Sequence, residues 1–480
     1  MEVSITIGNI VFLIIQFYIF LRKEDARKKY VSLFVFTAFC EIFYNLGFLF
    51  KVGSYEVNLP YISTIVTFIW GIIISIKRII TIRGKYLIFF YISLIIGILW
   101  RLVSPSEVIG INHFVQIDSL ATGSSMVRLE LTGYSFLIFI RTILCSFSLT
   151  FFAAAYEKND FIKIIRKYVP IFKFVIAFAV VEFISNNLID PNLIRNIVVD
   201  IFGRSSGAYL TPSFRGVFYS ICLTCWEPSL ANYALFFSSS AIFWNMNYSK
   251  RKNEYIFILV AALMMLLSMA LTGLVFIMTI IALMLFRKNV RDKVVKIFFI
   301  AIPTGLITAG FLLISSSEAK VYIISRLVTT GQSIIYMIEN PQSLSIFSVF
   351  GGASETLRFF SMFNNLYVWT RSPFIGNGIG TASSCSGWIS ALANIGIIGI
   401  FFLLKIYKGL SNQMGLKDYR LASLLIGAVF TIQGGLVDIL CNTYYFIWIV
   451  LVAGIISNYR IKKIDSVTPY VCIENELETV

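Results

Sequence analysis

Apolar runs alternate with short charged clusters along almost the whole 480-residue chain. Most runs approach the ~20 residues that a helix needs to cross a bilayer. Thirteen are centred near Phe12, Phe36, Ile69, Leu94, Ser146, Phe178, Phe236, Ala262, Thr279, Pro303, Ile398, Ala428 and Val450. The pattern predicts an all-α polytopic integral membrane protein of about 13 transmembrane helices (12–14). It forms one bundle over residues 1–480, ending in a cytoplasmic tail at 459–480. Tyr255–Phe286 is 32 residues long without a charge and has basic loops on both sides. It must be either a tight two-helix hairpin turning near Thr272–Gly273 or a re-entrant element. Met1–Leu21 is apolar to its end and lacks a basic leader region, so it reads as the first span rather than a signal peptide.

Composition agrees with the pattern. Hydrophobic residues make up 58% and charged residues 14% of the chain, with a mean hydropathy of +0.83. A soluble fold could not cover that much apolar surface. The net charge of +15 suggests nucleic acid only until its placement is considered. Of the 40 Lys and Arg residues, 28 lie in alternate loops: Arg22–Lys29, Lys77–Lys85, Lys158–Lys167, Lys250–Lys252, Arg287–Lys296, Lys405–Arg420 and Arg460–Lys463. Those loops are expected to be cytoplasmic, which puts the N-terminus outside and the C-terminus inside. The charge is a topology signal, and nucleic acid is not an expected partner; the lipid bilayer is. Trp100 and Trp388 mark the outer boundary as interfacial anchors.

Metal and disulfide chemistry find little footing. The seven cysteines lie mostly in or beside spans, and Cys222 and Cys225 form a CxxC with no second pair and no flanking His. The only histidine is His113. Neither a metal nor a cofactor is expected.

The polar chemistry is expected in the outer segments Ser104–Gly133, 190–228 and 316–387, which are longer than ordinary loops. In the last of these, Ile324, Leu327, Val328, Ile334, Ile335 and Ile338 recur at helical spacing over Val321–Glu339, the mark of a helix lying at the interface. After Gly351–Gly352 a second helix is predicted over Ser354–Thr370. It sets Phe359, Phe360, Phe363 and Leu366 on one arc, with Ser354, Arg358, Ser361 and Asn365 opposite and Glu355 beside them. A Pro/Gly-rich turn, Arg371-Ser-Pro-Phe-Ile-Gly-Asn-Gly-Ile-Gly380, then leads into the span opened by Trp388. It lacks the strand and βαβ context of a dinucleotide-binding fingerprint. The segment 190–228 carries Arg195, Arg204 and Arg215 and ends in Trp226-Glu-Pro-Ser229. Pro228 there suits a helix start, and Glu227 suits both the helix dipole and acid–base work. Within spans, Arg141 is expected to pair with Glu41 or Glu182, and Lys173 to snorkel.

Arginine forks gathered over an outer membrane rim suit an anionic lipid headgroup, and they can stabilise a departing pyrophosphate without a metal. The attacking sugar hydroxyl would need a base, for which Glu227, Glu355 and Asp200 are the outer candidates. Trp226-Glu-Pro-Ser229, the large late outer loop, the Arg371–Gly380 turn and Ala393-Asn-Ile-Gly-Ile-Ile-Gly399 together resemble the O-antigen polymerase / O-antigen ligase superfamily, over roughly Arg215 to Gly454. The resemblance implies a GT-C-like integral-membrane glycosyltransferase of the bacterial inner membrane. Such an enzyme uses undecaprenyl-pyrophosphate-linked oligosaccharides at the periplasmic face, works without a metal and can partner a chain-length regulator protein. The family's functional arginines would fall on Arg215 and Arg358, with Arg326 and Arg371 as further candidates; Asn365 shares the Arg358 face. Ligases of the family carry a His in the large loop, and 316–387 has none, which favours the polymerase branch. The alternatives are the ligase, a polysaccharide flippase and a membrane scaffold. No pair of repeated halves points to the flippase.

Overall fold

The computed structural model describes residues 2–3, 6–42, 48–52, 55–78, 85–104, 108–111, 126–202, 214, 218–223, 225, 228–246, 254–268, 270–286, 328–329, 331–340, 354–416, 418–433 and 444–465. Twelve of the thirteen predicted span centres fall in helices, and the one at Pro303 lies outside the described residues. The helices are α1 (Ile7–Leu21), α2 (Ala26–Ile42), α3 (Leu59–Arg78), α4 (Lys85–Val103), α5 (Gly133–Ala155), α6 (Lys158–Leu188), α7 (Leu193–Phe202) and α8 (Pro228–Met246). They continue with α9 (Tyr255–Leu267), α10 (Leu271–Phe286), α11 (Ser354–Arg371), α12 (Gly387–Gln413), α13 (Tyr419–Gln433) and α14 (Tyr444–Asp465). Among the described residues, α4, α5, α6 and α12 are by length and composition able to cross a membrane.

The bundle is organised around α14, whose residues Phe446–Ile455 are all buried, with Gly454 lying against the Trp244 indole of α8. Helix α14 packs on α2, α8 and α13, while α6 lies along α8, and α4 along α12. Aromatic rings fill the seams: Phe34 stacks on Phe152 with centroids 4.3 Å apart, and Phe236 on Phe276 at 4.5 Å. The outer helices turn apolar side chains away from the protein, as Ile7, Ile14, Phe17 and Leu21 do on α1, and Ile88, Leu99 and Leu102 on α4. These exposed apolar faces suit a lipid environment.

Two small antiparallel sheets add to the helices. In the first, β1 (Glu2–Val3), β2 (Phe48–Val52) and β3 (Tyr55–Asn58) pair in that order, with Lys51 standing opposite both Glu2 and Glu56. The second pairs β4 (Ile109–Ile111) with β5 (Met126–Arg128). Strands this short leave little periodic signal, and the helical pattern does not foretell them. Both sheets lie at helix ends that the charge pattern expects to face outward.

At the other end, two of the basic segments meet. Lys167 pairs with Glu24 at 2.7 Å, Lys28 lies 3.8 Å from Asp160, and Arg27 pairs with Glu157. Inside the bundle Arg141 pairs with Glu41 at 3.9 Å and lies 4.4 Å over the Tyr61 ring. Lys173 does not simply snorkel: it reaches the buried Glu254 at 3.0 Å, which also accepts from Asn245 at 3.1 Å.

The uncharged stretch Tyr255–Phe286 is a helical hairpin, one helix ending at Leu267 and the next beginning at Leu271, slightly before the expected turn at Thr272–Gly273. Asn232 on α8 fixes it, its amide donating to Ser268 Oγ at 2.9 Å and Thr272 Oγ1 at 3.1 Å. All three residues are fully buried, so neither hydroxyl has water as a substitute partner. We expect Asn232→Ala to lower stability by about 1–3 kcal/mol, measured as a drop in thermal unfolding temperature in detergent. An unchanged midpoint would show that the hairpin stands without this clamp.

Candidate functional site

The end of the bundle that the charge pattern predicts to face outward, the rim, is built on a break in α12. Gly396 has φ 63° and ψ −173°, which interrupts the helix between Ile395 and Ile397. A break strands backbone donors and acceptors, which at membrane depth must find partners inside the protein. The turn after α11 supplies them. Pro373 O and Phe374 O accept from Ile397 N and Ile398 N at 3.0 and 3.1 Å, and Asn377 N and Gly378 N donate to Ala393 O and Asn394 O at 2.9 and 3.0 Å. Thus the Pro/Gly-rich turn fits into the gap and caps both halves of the helix. The crossing is so close that a Cβ on Gly396 would meet Phe374 O at 2.4 Å, and one on Gly376, at φ 81°, would meet Asn394 O at 2.4 Å.

Buried polar side chains lock the turn in place. Asn394 Oδ1 accepts from Thr381 N and Ala382 N at 3.0 and 3.1 Å, while its amide donates to Ala382 O at 2.8 Å and Ser390 O at 2.7 Å. Arg101, 1% exposed at the end of α4, donates from Nε to Asn377 O at 2.9 Å and from Nη2 to Asn377 Oδ1 at 2.6 Å. Its Nη1 reaches Ser104 O at 3.0 Å. Ser135, in the first turn of α5, donates to Gly380 O at 3.1 Å. Four helix ends, from α4, α5, α11 and α12, therefore converge on residues 372–386.

Helix α11 occupies the stretch where the pattern predicts one, and its polar face packs on that turn. Asn365 is fully buried, donating to Ser383 O at 2.6 Å and Ser361 O at 2.9 Å, while its Oδ1 has no hydrogen-bond partner among the described residues. Ser361 Oγ accepts from Cys385 N at 3.0 Å, and Asn364 Oδ1 from Ile111 N at 3.3 Å. Arg358 is half-buried one turn earlier, within electrostatic reach of the Tyr233 phenol on α8, as is Cys385. Arg371 ends the helix, exposed, with its guanidinium 4.9 Å over the Tyr367 ring and donating to that residue's hydroxyl. Thirteen residues of helix put ~20 Å between the Arg358 and Arg371 backbones. The two therefore sit at opposite ends of α11 rather than in one grip. Glu355 occupies the first turn of α11, and its side chain is outside the described residues, as are Arg215, Glu227 and Arg326 entirely. Asp200 is exposed on α7. In 331–339, a helical segment, Ile335 and Ile338 are exposed, while Met337 is buried.

The CxxC has a structural setting. Glu182 on α6 accepts from Cys222 N at 2.9 Å and Leu223 N at 2.7 Å, holding a turn in which Leu223 has φ 54°. Asn186 and Asn187 bind the carbonyls of Ser220 and Tyr219 at 3.0 and 3.2 Å. Burial, reinforced by the nearby Glu182 charge, pushes the Cys225 thiol up to about 12, so at neutral pH it stays protonated and is a weak nucleophile and metal ligand. Among the described residues, no group of three His, Cys, Asp or Glu side chains could hold a metal.

Arg101 lies outside the sequence motifs, and Asn377 and Asn394 lie within two of them without a role that the sequence assigns. Their signal was faint: a single polar residue in each of three segments otherwise composed of apolar or small side chains. No protein-family model matches the chain, and no curated protein matches it.

Gly396→Ala should cost roughly 2–4 kcal/mol, combining left-handed strain with backbone collision. Differential scanning fluorimetry of the purified full chain reads this as a lowered midpoint. A variant as stable as the parent would mean that the helix is not broken there.

Proposed function

We propose that the protein is an O-antigen polymerase, a metal-independent glycosyltransferase that moves a growing glycan from undecaprenyl pyrophosphate onto a new lipid-linked repeat unit. In this reading the chain crosses a bacterial inner membrane about thirteen times, as a GT-C-like bundle with its N-terminus in the periplasm and its C-terminus in the cytoplasm. The observation that carries the proposal is the half-buried Arg358 on α11, within electrostatic reach of Tyr233 on α8 and one turn before Ser361, which accepts from Cys385 N. A guanidinium in that setting keeps its charge and offers paired N–H donors to diphosphate oxygens.

In the reaction, a hydroxyl of the incoming unit attacks the anomeric carbon of the donor glycan. The new C–O bond forms as the bond to the pyrophosphate oxygen breaks, and that oxygen leaves with the electron pair. Arg358 stabilises the growing charge on the leaving group, with Arg215 and Arg326 as further ligands. The hydroxyl proton passes to Glu227 or Glu355. The absence of a His from residues 316–387 supports the polymerase over the ligase. A chain-length regulator is a fitting partner.

Deletion in the native host, followed by a lipopolysaccharide gel and complementation, separates the alternatives. A single repeat unit on the core supports the polymerase. Long lipid-linked chains without surface attachment would make it a ligase, and units trapped in the cytoplasm a flippase. Complementation with Arg358→Ala should lower chain extension roughly 100-fold while membrane insertion is kept. Normal chain lengths in that variant would remove Arg358 from the site.

A further inference from the structure

The end of the bundle remote from the rim holds a cavity of about 320 Å³ between the α1–α2 turn and the first turns of α6. Its lining is Glu24, Lys28, Asp160, Lys163, Ile164, Arg166 and Lys167. Several of these charges are already engaged: Lys167 with Glu24, Lys28 facing Asp160 Oδ1, and Arg166 Nε donating to Asn245 Oδ1 at 3.2 Å. Four cations against two carboxylates leave the cleft electropositive, with Lys163 exposed at its edge. An anion is the matching occupant.

A second feature narrows the chemistry. Asp160 is 6% exposed and lines the cavity, yet its Oδ2 has no hydrogen-bond partner among the described residues. A buried carboxylate oxygen needs a donor. The ligand should therefore carry a negative group for the lysines and, a short distance away, an N–H or O–H for Asp160.

The surroundings favour a lipid source. Beyond Lys167, α6 turns Ile171, Phe174, Val181, Ile184 and Leu188 outward, all apolar and exposed, so an apolar track runs from the cleft along the helix. Acyl chains could lie on it while the headgroup occupies the charged end. We propose that this cleft seats the headgroup of a phospholipid bearing a hydrogen-bond donor, with the phosphate against Lys28, Lys163 and Arg166 and the donor on the Asp160 carboxylate. This inference is independent of the proposed glycosyl transfer.

Phosphatidylethanolamine and phosphatidylcholine make the decisive pair, since both carry phosphate and only the first has N–H donors. Native mass spectrometry of the full chain in mixed micelles should show ethanolamine lipid retained roughly tenfold over choline lipid. Asp160→Asn should bring the two to near parity while phospholipid is still retained. Lys163→Glu should weaken both alike, and circular dichroism checks that each variant is folded. Equal retention of the two lipids by the parent chain, or an undiminished preference in Asp160→Asn, would overturn the proposal. Stabilisation by free phosphoethanolamine equal to that by the lipid would also overturn it, making the site one for a soluble phosphate ester.

Discussion

A helix that breaks next to lipid must have its stranded amides and carbonyls bonded within the protein, and α12 meets that requirement by drawing residues 372–380 into its gap. Much of the rim follows from this. The turn can reach the gap only if backbones cross closely, hence glycine at 376 and 396. It can stay there only if its own polar groups are bonded, hence Arg101 on Asn377 and Asn394 on the Thr381–Ala382 amides. Helix α11 leads directly into the turn, and its position is thereby tied to the bundle, and with it Arg358. On the proposed reading, a backbone already fixed in this way needs less ordering when Arg358 meets a diphosphate.

The same economy of buried hydrogen bonds recurs elsewhere. Asn232 fastens the α9–α10 hairpin, and Glu182, Asn186 and Asn187 fasten the segment at 218–223. In each case a helical side chain bonds buried polar groups at a turn, side-chain hydroxyls for Asn232 and backbone groups for Glu182, Asn186 and Asn187. Paired charges, by contrast, collect largely at the opposite end, where Glu24, Glu157 and Asp160 each face a lysine or arginine. The two ends thus differ in chemistry: hydrogen-bond networks built on Arg101 and asparagine side chains at one, ion pairs around a charged cleft at the other.

Legibility in the sequence tracked periodicity. Helices from Phe12 to Val450 could be placed because long apolar runs bounded by basic clusters repeat many times, and α11 because its aromatic arc has a helical period. The sheets had no such signal, being two to five residues per strand. The pairing of Arg141 was open from sequence, since Glu41 and Glu182 are both carboxylates within spans; geometry gives Glu41 to Arg141 and Glu182 to the Cys222–Leu223 amides. The Arg371–Gly380 and Ala393–Gly399 stretches stand out as motifs in the sequence, but their bonding to each other does not show there. A contact between two backbones leaves only small residues behind, and small residues have many other causes.

Amide hydrogen exchange of the full chain in lipid nanodiscs tests the interlock most directly. Ile397, Ile398, Asn377 and Gly378 donate to carbonyls across the break, so their amides should exchange as slowly as those in the interior of α12. Rapid exchange at these four positions, with the rest of α12 protected, would show that the turn does not occupy the gap and would contradict the account of the rim.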